Sequence, residues 1–167
     1  MSGGTAPVTD GHRQSLWTLL RELDASGDAE FPRDFDRTAT RERFGELVAR
    51  IDAEFGRSCL DEQDVQEAAY HGRIIIPVAA TASADFITLL VSNFGDLALI
   101  TLGNPDSYDE EETEYLLDAT DLGRITGILD GLGYRTVPED LLWADYDGVL
   151  NLRSHATCWL DRFFFWI

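Results

Sequence analysis

The chain has 167 residues, with 31 Asp and Glu against 13 arginines and no lysine, for a formal net charge of −18. Without lysine there is no Schiff-base nucleophile, no P-loop cation for a nucleotide's phosphates and no lysine general base. The acidic excess argues against nucleic acid and membrane surface as ligands and favours a basic protein, whose approach it steers.

Residues 1–11 read as a flexible tail ahead of a single domain over 12–167. Leu16, Trp17, Leu19, Leu20 and Leu23 crowd one side of a helix from His12 to about residue 25, with Gly27 as its stop. Residues 28–38 read as a loop around Pro32. The second helix has the clearest pattern. Phe44, Leu47, Val48, Ile51 and Phe55 follow helical spacing, Thr38 or Thr40 is the expected start cap, and Gly56 is the expected end.

A three-strand meander follows over 73–78, 86–92 and 97–102, with Asn93-Phe94-Gly95-Asp96 as a hairpin turn. Phe86, Thr88 and Leu90 face one way, and Ile87, Leu89 and Val91 the other. A strand apolar on both faces is covered on both faces. Residues 103–121 form an acidic block. A third helix spans 121–132, with Leu122, Ile125, Leu129 and Leu132 inward and Gly133 just past its end. A short strand at 134–137, a helical turn at 139–143, a turn at 146–148, a strand at 149–153 and a closing helix over 157–167 complete the pattern. The expected fold is α+β: a single domain whose mainly antiparallel sheet, the meander plus one or two further strands, carries helices on both faces.

Two surface features stand out. Asp106, Asp109, Glu110, Glu111, Glu112, Glu114, Asp118 and Asp121 have no arginine among them. They read either as a solvated loop and helix start, or as a docking surface with Tyr108 and Tyr115 as aromatic anchors. Their spacing does not match an EF-hand calcium loop. The second feature is the C-terminal run Phe163, Phe164, Phe165, Trp166, whose side chains cannot share one side of a helix. Phe165 and Trp166 are the outward pair if Trp159, Phe163 and Ile167 face in, which offers an apolar interface to a second copy or to another protein. The expected partner-binding residues are therefore Asp106, Tyr108, Asp109, Glu110, Glu111, Glu112, Glu114, Tyr115, Phe165 and Trp166. Gly123, Gly127 and Gly131, at four-residue spacing, are expected to pack tightly on the sheet.

Nothing in the sequence marks a catalytic site, a cofactor site or a metal site. His12, His71 and His155 lack metal-ligand spacing, and no hydrolase, zincin or dinucleotide-binding motif is present. Cys59 and Cys158 form no redox or zinc pattern and are expected to be small buried hydrophobes. Arg73, Arg124 or Arg135 could greet an anionic ligand, although a lone arginine is usually an ion-pair partner. Residues 1–10 lack the features of a signal peptide, and no apolar run approaches the roughly 20 residues of a membrane span, so a cytoplasmic protein is expected. The arginine-only composition points to a GC-rich bacterial coding bias. The leading expectation is a non-enzymatic acidic binding protein, most concretely an immunity or antitoxin-like inhibitor of a basic partner. The alternatives are an accessory subunit assembling through the aromatic C-terminal segment, and a small carboxylate- or metal-dependent enzyme.

Overall fold

The computed structural model describes residues 10–63, 65–150 and 157–165. Six helices are present among them: α1 (Asp10–Asp24), α2 (Arg37–Phe55), α3 (Glu110–Leu116), α4 (Ala119–Gly131), α5 (Glu139–Leu142) and α6 (Trp159–Phe164). One sheet runs in the order β1 (Leu60–Gln63), β2 (Tyr70–Ile76), β3 (Ile87–Ser92), β4 (Leu97–Leu102), β5 (Arg135–Thr136). The first four strands are an antiparallel meander, and β5 lies parallel to β4. The α+β architecture expected from the sequence is the one found.

The absence of polar alternation in β3 and β4 has the structural result it implied. Ile87, Leu89 and Val91 join Ala98 and Leu102 in one core, closed by Phe44, Leu47 and Ile51 of α2 and Ile125 and Leu129 of α4. Leu90, Leu97 and Leu99 face the opposite core, closed by Leu16 and Leu20 of α1, Leu141 and Leu142 of α5, and Trp159 and Phe163 of α6. The β3–β4 turn places both Gly95 and Asp96 at positive φ, and Leu97 N–H returns to the Phe94 carbonyl at 3.1 Å. That is the mirror-image turn whose twist suits a hairpin. A Cβ on Gly95 would also meet Leu23 at 2.3 Å, so α1 packs directly on this turn.

Several expectations need correction. The cap of α2 is Asp36, whose carboxylate accepts from Ala39 N, while the Thr40 hydroxyl turns back onto the Asp36 carbonyl. The meander has a fourth strand, β1, whose residues are all exposed and so carry no apolar pattern to read. The acidic block contains a helix, α3. Val149 and Leu150 form a bend rather than a strand, and 151–153 fall outside the described residues. The closing helix ends at Phe164, with Phe165 already extended. The glycine stripe of α4 faces outward: a Cβ on Gly123 or Gly127 would touch nothing within 4 Å. It does not pack on the sheet.

A buried ion pair ties the chain's two ends together. Arg162 of α6 and Asp24 at the end of α1 are 0% and 1% exposed, with Nε 2.7 Å from the carboxylate. Asp24 also accepts from the Tyr146 hydroxyl at 2.6 Å and Val149 N at 2.8 Å. The Arg162 guanidinium donates to the carbonyls of Asp24, Ala29 and Asp28, and lies over the Phe94 ring at 4.5 Å.

Two predictions follow from these placements. Gly127→Ala should stabilise the fold by about 0.5–1 kcal/mol, because an open helical site gains propensity without a clash. Thermal unfolding would show a melting temperature raised by about 1–4 °C. Asp24→Ala should instead cost about 3–5 kcal/mol by leaving a buried guanidinium uncompensated. In denaturant unfolding, the double replacement Asp24→Leu/Arg162→Met should lose less than that single change.

Candidate functional site

The acidic block divides into residues that build the fold and residues that do not. Asp109 caps α3 by accepting from Glu112 N, and the Glu112 side chain accepts from Asp109 N in return. This reciprocal capping box fixes the helix start. Asp118 caps α4 through Thr120 N and Asp121 N. Asp121, 2% exposed, accepts from Ala82 N at 2.9 Å and from the Ser83 hydroxyl at 2.7 Å, and the same hydroxyl accepts from Asp118 N. These bonds clamp the α3–α4 junction onto the loop before β3. Asp106 takes a positive φ, and its N–H donates to a Glu139 carboxylate oxygen at 2.8 Å, which joins the block to α5. Burial raises the Glu139 carboxyl above its ordinary range, against the opposing pull of the Asp106 N–H bond.

Tyr108 is half-buried and donates to Asp85 at 2.8 Å; that carboxylate holds the phenol above its usual range. It anchors the loop inward. Tyr115 is 89% exposed. Glu110, Glu111 and Glu114 are exposed and take no part in the caps and clamps just described. Together with Tyr115 they form the face that α3 turns to solvent.

Among the described residues no arginine pairs with this face. Arg13 pairs with Asp140, Arg21 with Asp147, Arg43 with Asp96, Arg50 with Glu46, Arg73 with Glu62, and Arg124 with Glu54. None of these pairs falls on α3. Arg73 and Arg124 are thus engaged with carboxylates, as ion-pair partners would be.

The two halves of the expected binding face do not meet. Leu116 accepts from Ala84 N and Gly103 N donates to Phe86, so α3 sits at the Ile87 end of β3. The Phe165 carbonyl accepts from Ala69 N, and Ala69 accepts from Asn93 N, so Phe165 lies at the Ser92 end. The strand between them is six residues, or about 17–20 Å. Phe165 is 41% exposed, and Trp166 lies outside the described residues.

Among the described residues no group of three or more His, Cys, Asp or Glu is placed to hold a metal ion, and no helix is long and apolar enough to cross a membrane. Cys59 and Cys158 are both buried free thiols. Burial, followed by the Asp52 carboxylate, pushes the Cys59 thiol up to about 11, and burial raises Cys158 as well. A thiol with that pKa is protonated at neutral pH, and the protonated form is a poor nucleophile. Alkylation of Cys59 in the native protein at pH 7.5 should run roughly 100-fold or more slower than for free cysteine; mass spectrometry of iodoacetamide-treated protein would measure it.

Comparison with known proteins gives no relative: no protein-family model, no curated protein and no solved structure matches this chain.

Proposed function

We propose that the chain is a non-enzymatic binding protein that docks a basic protein through the exposed face of α3. An inhibitor of immunity or antitoxin type, neutralising a basic partner by covering it, is the most concrete form of this reading. The observation that carries it is the division of labour within the acidic block. Asp109, Glu112, Asp118 and Asp121 serve the fold, while Glu110, Glu111, Glu114 and the 89%-exposed Tyr115 are left facing solvent. A concentrated acidic face steers a basic partner and speeds encounter, and an exposed tyrosine among the charges supplies an anchor. The raised thiols of Cys59 and Cys158 weigh against either cysteine acting as a thiolate nucleophile.

The test is Glu110→Gln/Glu111→Gln/Glu114→Gln, which spares the capping Glu112. The variant should unfold at the wild-type temperature yet fail to retain a basic protein from lysate at low salt. On the purified pair, its association rate should fall roughly tenfold, and the salt dependence of that rate should flatten. Retention unchanged by the triple replacement would sink the proposal.

A further inference from the structure

The edge strand β1 carries a second feature of the same acidic end. Its four residues are all exposed, Leu60 by 74%. They bury no core, and β1 is the terminal strand of the sheet. Its register with β2 sets Leu60 beside Ile75, Asp61 beside Ile74, Glu62 beside Arg73 and Gln63 beside Gly72. Ile74 belongs to the α2 core, so Asp61 and Gln63 lie on the α2 side of the sheet, and Leu60 and Glu62 on the other. On that other side Glu62 is already paired with Arg73 at 2.8 Å, and Leu60 adjoins the half-buried Ile75. The edge therefore offers an unneutralised acid on one side and an apolar step on the other. A Cβ on Gly72 would meet the Glu62 carbonyl at 2.4 Å and Phe44 at 2.8 Å, so the glycine is what lets β1 lie close to the sheet.

An unpaired edge is a template for another strand, and charges decide which strand it accepts. A second copy is disfavoured. Parallel in-register pairing of β1 with itself sets the unpaired Asp61 against its twin, and like charges opposite one another are destabilising. An extended segment with basic residues on one side and apolar residues on the other meets Asp61 and Leu60 in the same pairing. Leu60 also lies in the cross-strand row Leu60, Ile75, Thr88, Thr101. It is thus at the same end of the sheet as α3, three strand spacings or about 15 Å from Thr101 of β4.

We infer that the outer edge of β1 receives an extended basic segment of the partner as an added strand. This rests on the reading of the partner as a basic protein. The probe is a short peptide alternating lysine and valine, added to the full chain and followed by amide hydrogen exchange and titration at low salt. The expected result is slowed exchange at Leu60–Gln63, with affinity lowered roughly tenfold when alternate peptide amides are N-methylated, since main-chain hydrogen bonds are then lost. Asp61→Lys should weaken binding similarly while leaving the melting temperature in place. Equal affinity for the methylated peptide, without protection at β1, overturns the edge assignment and leaves charge-driven docking on α3 intact. Failure of both peptides to bind overturns this inference and the basic-partner reading together. Protection of β1 that rises with protein concentration alone assigns the edge to a second copy, which also overturns it.

Discussion

The ion pair between Asp24 and Arg162 is the buried polar contact on which the α1–α6 side of the fold depends. It joins α1 to α6 across almost the whole length of the chain. It also collects the carbonyls of the 25–36 loop on one guanidinium and the 146–150 segment on one carboxylate. Two desolvated charges are expensive, and their mutual attraction repays that cost only when their remaining hydrogen-bonding capacity is filled. Here it is filled: Asp24 accepts from a guanidinium, a phenol and a backbone amide, and Arg162 donates to three carbonyls while stacking on Phe94 and Phe163. The steric consequence reaches Gly148, where a Cβ would meet the Asp24 carboxylate at 2.2 Å and Tyr146 at 2.5 Å. The loop can close over the pair only with a glycine there.

On the other side of the sheet, α2 and α4 close a second core, and the loops at the Ile87 end of β3 are acidic. The clamps at that end add hydrogen bonds to the packing of Tyr108, Leu116 and Leu117 on the α2/α4 core. Ser83 bridges Asp118 and Asp121, Tyr108 reaches Asp85, and Asp106 reaches Glu139. Helix α3 buries none of its residues. It is held by its caps, by Leu116 packed on the core and by the Ala84 N–H bond to the Leu116 carbonyl, which leaves its outer face free of a role in folding.

The parts of the fold legible in the sequence were those where burial dictates residue type. The double-faced apolar runs of β3 and β4 gave the covered sheet, and the spacing from Phe44 to Phe55 gave α2. Elements that bury nothing left no such trace. β1 is exposed at every residue and α3 has no fully buried residue, with only Leu116 packing on the core, so hydrophobic periodicity had little to report. The capping box of α3 was readable in principle, as Asp109 followed three residues later by Glu112. The buried pair also left a signal that went unused. Asp24 continues the i, i+4 spacing of Leu16 and Leu20, and Arg162 sits among Trp159, Phe163 and Phe164 on a helix whose only other charged residue is Asp161. A lone charge on an apolar face is evidence of a partner. The glycines of α4 were misread because small residues at regular spacing fit a close-packed face and an open one equally well; only the position of Ile125 and Leu129 decides which side they occupy.

The lysine-free composition bears on both the fold and the proposed interface. Arginine's planar guanidinium can stack on a ring while its N–H groups bond a carboxylate, which a lysine ammonium does poorly. Arg43 lies 4.3 Å over Tyr134 while pairing with Asp96, Arg124 lies 4.2 Å over Phe55 while pairing with Glu54, and Arg162 lies over Phe94 while pairing with Asp24. These cations are committed to the body of the domain, each between an aromatic and an acid. With no lysine to scatter over the remaining surface, the acids of α3 have no ion-pair partner among the described residues. Their repulsion is tolerable on an exposed helix held by caps, where water and salt screen it. It is relieved more fully by a partner that brings cations of its own, and that relief is the driving force on which docking at the acidic end rests.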